Sequence, residues 1–163
     1  MFKLSPLLII VGLTFFLVCT ATRADQIPKS GSFDTETGWK ATGEAFEVGE
    51  KRLQGGGNVV GTIFNIKGSG PLHAGPASCF YTFFLMDGAV KNKGYCAFGD
   101  VDGDKIYTDF HGGSATVGTE GINNIVGGTG KYTGIQGSGT WISKDSGPNG
   151  QHVTFQHWEY RLP

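Results

Sequence analysis

This chain has little of what most catalytic or nucleic-acid-binding sequences carry. Only 17% of its 163 residues are charged, the formal net charge is −1, and Lys and Arg form no run or stripe. That excludes the electrostatic footprint of a nucleic-acid or anionic-membrane binder. There are three cysteines, with no Cys-x-x-Cys spacing and no histidine ligands beside them, so neither a redox pair nor a metal site is expected, and no cofactor. No window sets good helix formers at helical spacing. Phe, Tyr, Val, Ile and Thr fill the apolar runs instead, which disfavours helix throughout. A catalytic triad signature, a repeat of fixed period and a low-complexity linker are all missing, so a single domain is expected.

Beyond the first residues there is also no long hydrophobic run. Lys3 precedes an apolar stretch from Leu4 to Val18, and Thr22-Arg23-Ala24 places small residues where a signal peptidase reads, so residues 1–24 are expected to be a cleaved signal peptide. The stretch is near the short limit for a membrane span and no cluster of charge follows to stop transfer, which makes an anchor the weaker reading. Val18 before Cys19 fails the lipoprotein pattern. Loss of Lys3 and Arg23 reduces 13 basic residues to 11 against 14 acidic ones, a net charge of −3. The mature chain is expected to be a soluble secreted or periplasmic domain, large enough for a core of its own and with no membrane partner.

Cys79 and Cys96 remain in a compartment that permits oxidation, and they are symmetric about Asp87-Gly88. A hairpin centred on that dipeptide sets the two opposite each other, so a disulfide is expected. Residues 25–38 are polar and carry Pro28 and two glycines, which reads as an N-terminal arm. The barrel domain is expected over 39–163. Strands are expected at 39–48, 58–67, 78–86, 94–100, 104–111, 115–126, 133–143 and 151–161, with a helical turn possible near 129–132. This is the spacing of an all-β, eight-stranded antiparallel barrel or a sandwich.

Two strands carry more than architecture. In 79–86, Cys79, Tyr81, Phe83 and Leu85 share one face, and Phe80, Thr82, Phe84 and Met86 the other, so both faces should be covered and a homo-oligomer is expected. In the last strand Val153, Phe155, His157, Glu159 and Arg161 oppose His152, Thr154, Gln156, Trp158 and Tyr160. Either set could point inward. The first would bury a titratable pair; the second would bury Trp158 and Tyr160 and leave His157 and Glu159 in water.

Other motifs weigh less. Asp100-Val101-Asp102-Gly103-Asp104 spaces three carboxylates as a calcium loop does, yet Lys105 and His111 stand where an EF-hand needs glycine and glutamate; a tight hairpin turn at Asp102-Gly103 is the better reading. Gly127-Gly128-Thr129-Gly130-Lys131 fails the Walker and dinucleotide spacings and reads as a glycine corner between strands. His73, Glu44, Glu47, Asp109 and His111 form no signature, and Asp109 and His111 share a strand face with Tyr107.

The segment from Cys96 through Gly103 to Tyr107, and above all Gly127-Gly128-Thr129-Gly130-Lys131-Tyr132-Thr133-Gly134-Ile135, resembles the allene oxide cyclase and dirigent superfamily over most of 39–161. The resemblance implies an eight-stranded antiparallel barrel, often trimeric, with an apolar cavity open at one end. It carries no catalytic residue over to this chain, because function lives in the site. Avidin-like and lipocalin barrels are the alternative folds, although Gly38-Trp39 lacks the spacer of the lipocalin signature.

Three functional readings follow. The first is a barrel that binds a small hydrophobic or aromatic molecule and steers its conformation, lined by Phe46, Phe64, Phe83, Tyr107, Phe110, Trp141, Phe155 and Trp158. The second is a cofactor-independent isomerase or cyclase of the allene oxide cyclase kind, with Glu44, His157 or Glu159 as the acid or base. The third is a structural or interaction protein whose barrel is plugged by those same aromatics. The balance leans away from an enzyme.

Overall fold

A computed structural model describes residues 27–114 and 119–163. The expected signal peptide and Cys19 lie outside the described residues. Eight strands form a closed antiparallel barrel in simple up-and-down order. They are β1 Ser30–Gly49, β2 Arg52–Asn65, β3 Gly75–Met86, β4 Ala89–Gly99, β5 Lys105–Ser114, β6 Glu120–Gly128, β7 Gln136–Ser146 and β8 Gln151–Arg161. Pairing of β8 with β1, Trp158 opposite Phe33 and Gln156 opposite Thr35, closes the barrel. Closure leaves no open sheet edge. The expected eight-stranded fold is borne out, and the helical turn is a 3-10 turn at Gly130–Tyr132.

The expected arm is corrected at one end. β1 begins at Ser30, so most of 25–38 is strand. Phe33, Thr35, Thr37 and Trp39 are all buried while Glu36 and Lys40 are exposed, a period-2 alternation that the two threonines and the glycines obscure in a hydrophobicity reading.

The β3–β4 hairpin turns at Asp87-Gly88, both with positive φ (50° and 85°), as a two-residue loop of matching twist requires. Cys79 therefore pairs with Cys96 in the ladder, and the two are joined by a disulfide.

One end of the barrel is plugged. Phe98, Ile63, Ile106 and Trp158 are fully buried between the strands. Burial of each such side chain contributes roughly 1.5–3 kcal/mol. Leu72, from the β2–β3 connection, lies beneath them at 0% exposure with φ of 54°. A leucine there is strained and needs fixing from outside its own turn. The Leu72 N–H donates to Asp100 Oδ2 and to Tyr132 Oη, each at 3.1 Å.

That fixing explains the glycine-rich motif. The Tyr132 hydroxyl donates to Asp100 Oδ2 at 2.5 Å, and Lys131 Nζ stands 3.1 Å from the same oxygen. Lys131 also reaches Asp102 Oδ2, and its N–H donates to Asp104 Oδ2 at 2.9 Å. The three alternating carboxylates thus converge on a lysine. Gly130 has φ of +52°, and a Cβ there would overlap the Asp104 carboxylate, so a side chain at this corner would be strained and would push that carboxylate off the Lys131 N–H. Burial alone would raise the Asp100 carboxyl; the bonds from Tyr132, Lys131 and the Val101 N–H outweigh it and hold the carboxyl below its ordinary value. Burial, and then the Asp100 hydrogen bond, push the Tyr132 phenol far up, so it stays a donor.

Candidate functional site

Above the plug the barrel is not filled. A cavity of about 290 Å³ occupies the half nearer the β1–β2, β3–β4 and β7–β8 turns, near the lower limit of small-molecule pockets. Its floor is Phe98 and Gln156, and its walls include Trp39, Tyr81, Phe110 and Trp141 together with the Cys79–Cys96 disulfide. Among the described residues no Lys, Arg, Asp or Glu lines it; the titratable side chains that do are Tyr81 and His152.

Glycines on neighbouring strands make room for the wall aromatics. A Cβ on Gly94 would lie 2.6 Å from the Phe110 ring, and one on Gly55 2.6 Å from Phe83. The bare backbone therefore lets each ring lie flat against the sheet and leaves the centre of the barrel open. Phe110 and Trp141 then meet edge to face at 6.1 Å.

Several polar groups of the floor are paired with one another. Gln156 Oε1 accepts from Thr35 Oγ1 at 2.9 Å and from Thr37 Oγ1 at 3.0 Å. Trp158 Nε1 donates to Thr35 Oγ1, and Trp39 Nε1 to Thr154 Oγ1. Such a network fixes the rings that carry it. His152 stacks on Trp39 with ring centroids 6.4 Å apart, and its Nδ1 lies 3.4 Å from the Gly150 carbonyl. With the proton on Nδ1 donated there, Nε2 is left as an acceptor. Burial pushes the imidazole below its ordinary value, and the Gly150 carbonyl only partly opposes it.

The expected lining divides by strand parity. Phe83, Phe110 and Trp141 point inward, the last two into the cavity wall. Trp158 points inward but is fully buried beside Phe98 below the floor. The other four need correction. Phe46, Phe64, Tyr107 and Phe155 lie on the outer face and are 63%, 47%, 37% and 38% exposed. Each has the parity opposite to the buried residues of its own strand, as Phe155 does to Thr154 and Gln156.

The proposed acid–base residues are corrected in the same way. Glu44, His157 and Glu159 all face outward. His157 Nδ1 pairs with Asp34 Oδ1 at 2.6 Å on the outer surface, with Glu159 3.9 Å from its other nitrogen. On β8 the inward set is the one with Trp158 and Tyr160, which brings His152, Thr154 and Gln156 with it. Trp39, Tyr81, Phe98, Asn92, Asn123 and His152 were not anticipated as lining. Parity counted from the buried Trp158, or from Cys79 and Cys96, would have found most of them.

No protein-family model matches the chain, and no curated protein matches it in sequence. Among solved structures, the pterocarpan synthase dirigent protein GePTS1 superposes with a TM-score of 0.50, covering 83% of this chain and 92% of that one at 14% identity. The chain thus has a dirigent-like barrel fold, and the resemblance read from its glycine-rich turn is borne out at the level of fold. At that identity the likeness is one of architecture alone.

Proposed function

We propose that this barrel holds one small apolar or aromatic molecule in its interior and steers its conformation without a cofactor. The observation that carries the reading is the aromatic-walled space of about 290 Å³ above a fully plugged floor. Eight-stranded barrels either fill with side chains or keep room for one ligand. Aromatic rings held over glycines and a hydrogen-bonded floor give walls that a ligand need not order for itself, which favours binding.

An isomerase or cyclase reading would have to use His152, whose Nε2 is an acceptor when Nδ1 donates to the Gly150 carbonyl. The native protein, purified gently from its host, tests the primary reading by mass spectrometry before and after denaturation. A co-purifying mass that is lost on denaturation is expected, and its structure names the compound to test for turnover. A clean apoprotein mass, with no apolar compound bound on subsequent screening, would refute the reading.

Secretion and self-association belong to the same proposal. The disulfide suits an oxidising compartment. Phe80 and Tyr95 pair across β3 and β4 on the outer face at 57% and 69% exposure, so the outer face of β3, expected to be covered, is open on the single chain. A second copy covering it would give a homo-oligomer, a trimer on the pattern of the resembled families. Light scattering of wild type against Phe80→Ser/Tyr95→Ser checks this: an oligomer that dissociates in the variant is expected, and a monomeric wild type overturns it.

A further inference from the structure

We propose that Asn92 and Trp141 form the polar anchor of the cavity, and that it selects an apolar molecule carrying one uncharged group able both to donate and to accept a hydrogen bond. This rests on the ligand-holding reading above and states what that ligand must present.

The two residues are linked by register. Asn92 on β4 pairs with Gly112 on β5, Gly112 with Gly121 on β6, and Gly121 with Trp141 on β7. The four form one row across the inner face, with side chains only at its two ends. A Cβ on Gly112 would fall 2.6 Å from Trp141 Cζ2, and so would one on Gly121. The indole therefore lies over both glycines and extends along the row toward Asn92.

Trp141 is 9% exposed, and its Nε1–H has no hydrogen-bond partner. Asn92 Oδ1, at the other end of the row, is likewise enclosed and unpartnered. Elsewhere in this interior the indoles are satisfied: Trp39 by Thr154, Trp158 by Thr35. Folded proteins rarely leave buried polar atoms unpaired, and each exception asks for an explanation, of which a partner from outside the chain is one. His73 Nδ1 and Thr108 Oγ1 are unpaired as well, but Asn92 and Trp141, one acceptor and one donor, are the two that belong to residues lining the cavity.

A hydroxyl answers both, accepting from the Trp141 indole and donating to Asn92. The Asn92 amide can turn to meet it about its soft terminal torsion. A carbonyl answers only the indole. A carboxylate answers only the indole as well, and it would be desolvated with no cation among the described lining residues.

The test uses the mature full-length chain and three probes of one ring size, 2-naphthol, naphthalene and 2-naphthoate, titrated by fluorescence at neutral pH. Binding of 2-naphthol about tenfold tighter than naphthalene, with 2-naphthoate weakest, is expected from the hydrogen bonds gained. Trp141→Phe and Asn92→Leu should each lower the ratio of the two neutral affinities to about threefold, since each removes one of the two hydrogen bonds. Where Trp141→Phe fails to fold for want of packing over its glycines, Asn92→Leu decides. Equal affinity of wild type for the two neutral probes, or a ratio that stays unchanged in Asn92→Leu, overturns the anchor while the cavity reading stands. Binding of none of the three overturns the cavity reading and the anchor with it.

Discussion

Replacing Tyr132 by Phe isolates the role of the closed-end latch. The substitution keeps the ring, which is fully buried, and removes a hydroxyl that donates to Asp100 Oδ2 at 2.5 Å. The Leu72 N–H also loses Tyr132 Oη as an acceptor but retains Asp100 Oδ2 at 3.1 Å, so no donor is orphaned. Asp100 itself keeps Lys131 and the amides of His73 and Val101. What is lost is one hydrogen bond to a charged group, a net contribution of about 1.5–3 kcal/mol. A loss of about 2 kcal/mol corresponds to a melting temperature lower by about 6 °C for a domain of this size.

The substitution also has a signature in acid. The Asp100 carboxyl is held below its ordinary value, so its stabilisation is present above the unfolded-state value and lost as pH falls through the folded one. Deleting the Tyr132 bond removes one of the interactions that lower it. The folded-state value rises, and Tyr132→Phe should unfold at a higher pH than wild type. Urea unfolding at neutral pH and acid titration followed by circular dichroism measure the two effects. A variant within 0.5 kcal/mol of wild type, a margin ordinary for surface changes, or one with an unshifted acid midpoint, refutes the latch.

Three further outcomes are expected. Gly121→Ala would place a Cβ 2.2 Å from the His111 carbonyl oxygen and 2.6 Å from the Trp141 indole, so a loss of about 1–3 kcal/mol is expected in denaturant, with a shift in tryptophan fluorescence; an unchanged protein would contradict the ring-over-glycine packing. Joint replacement of Cys79 and Cys96 by Ser opens a loop of sequence separation 17 and should cost about 3 kcal/mol, read from the same curves. His152 is depressed below its ordinary 6.5, so the unfolded chain binds the extra proton first and stability should fall as pH drops from about 6.5 toward the folded value. In His152→Gln that part of the pH slope should vanish, and its persistence would show that the imidazole is not buried neutral.

The fold was legible because its signals are local. Asp87-Gly88 announces a two-residue hairpin by demanding positive φ, and the symmetric cysteines follow from it. The start of β1 was not legible, because Thr35 and Thr37 are buried through hydrogen bonds to Gln156, a partner more than a hundred residues away. Polarity there marks a satisfied interior network, and no reading of hydrophobicity along one strand can separate that from an arm in water. The lining aromatics failed for a related reason. An exposed Phe46 or Phe155 and an enclosed Phe110 are the same letter, and the choice of face is made by what lies across the barrel.

The motif that carried the resemblance and the cavity that carries the proposed function lie at opposite ends of the barrel. Gly130, Lys131 and Tyr132 gather Asp100, Asp102 and Asp104 and fix Leu72 beneath the plug. None of them lines the cavity. A sequence can therefore preserve everything needed to close one end of such a barrel while the other end changes its ligand freely, since the plug of Phe98, Ile63, Ile106 and Trp158 separates the two. The unpaired atoms of Asn92 and Trp141, held apart by two glycines, belong wholly to the open half. Likeness at the latch is informative about architecture for a physical reason, and for the same reason it carries nothing about what the cavity holds.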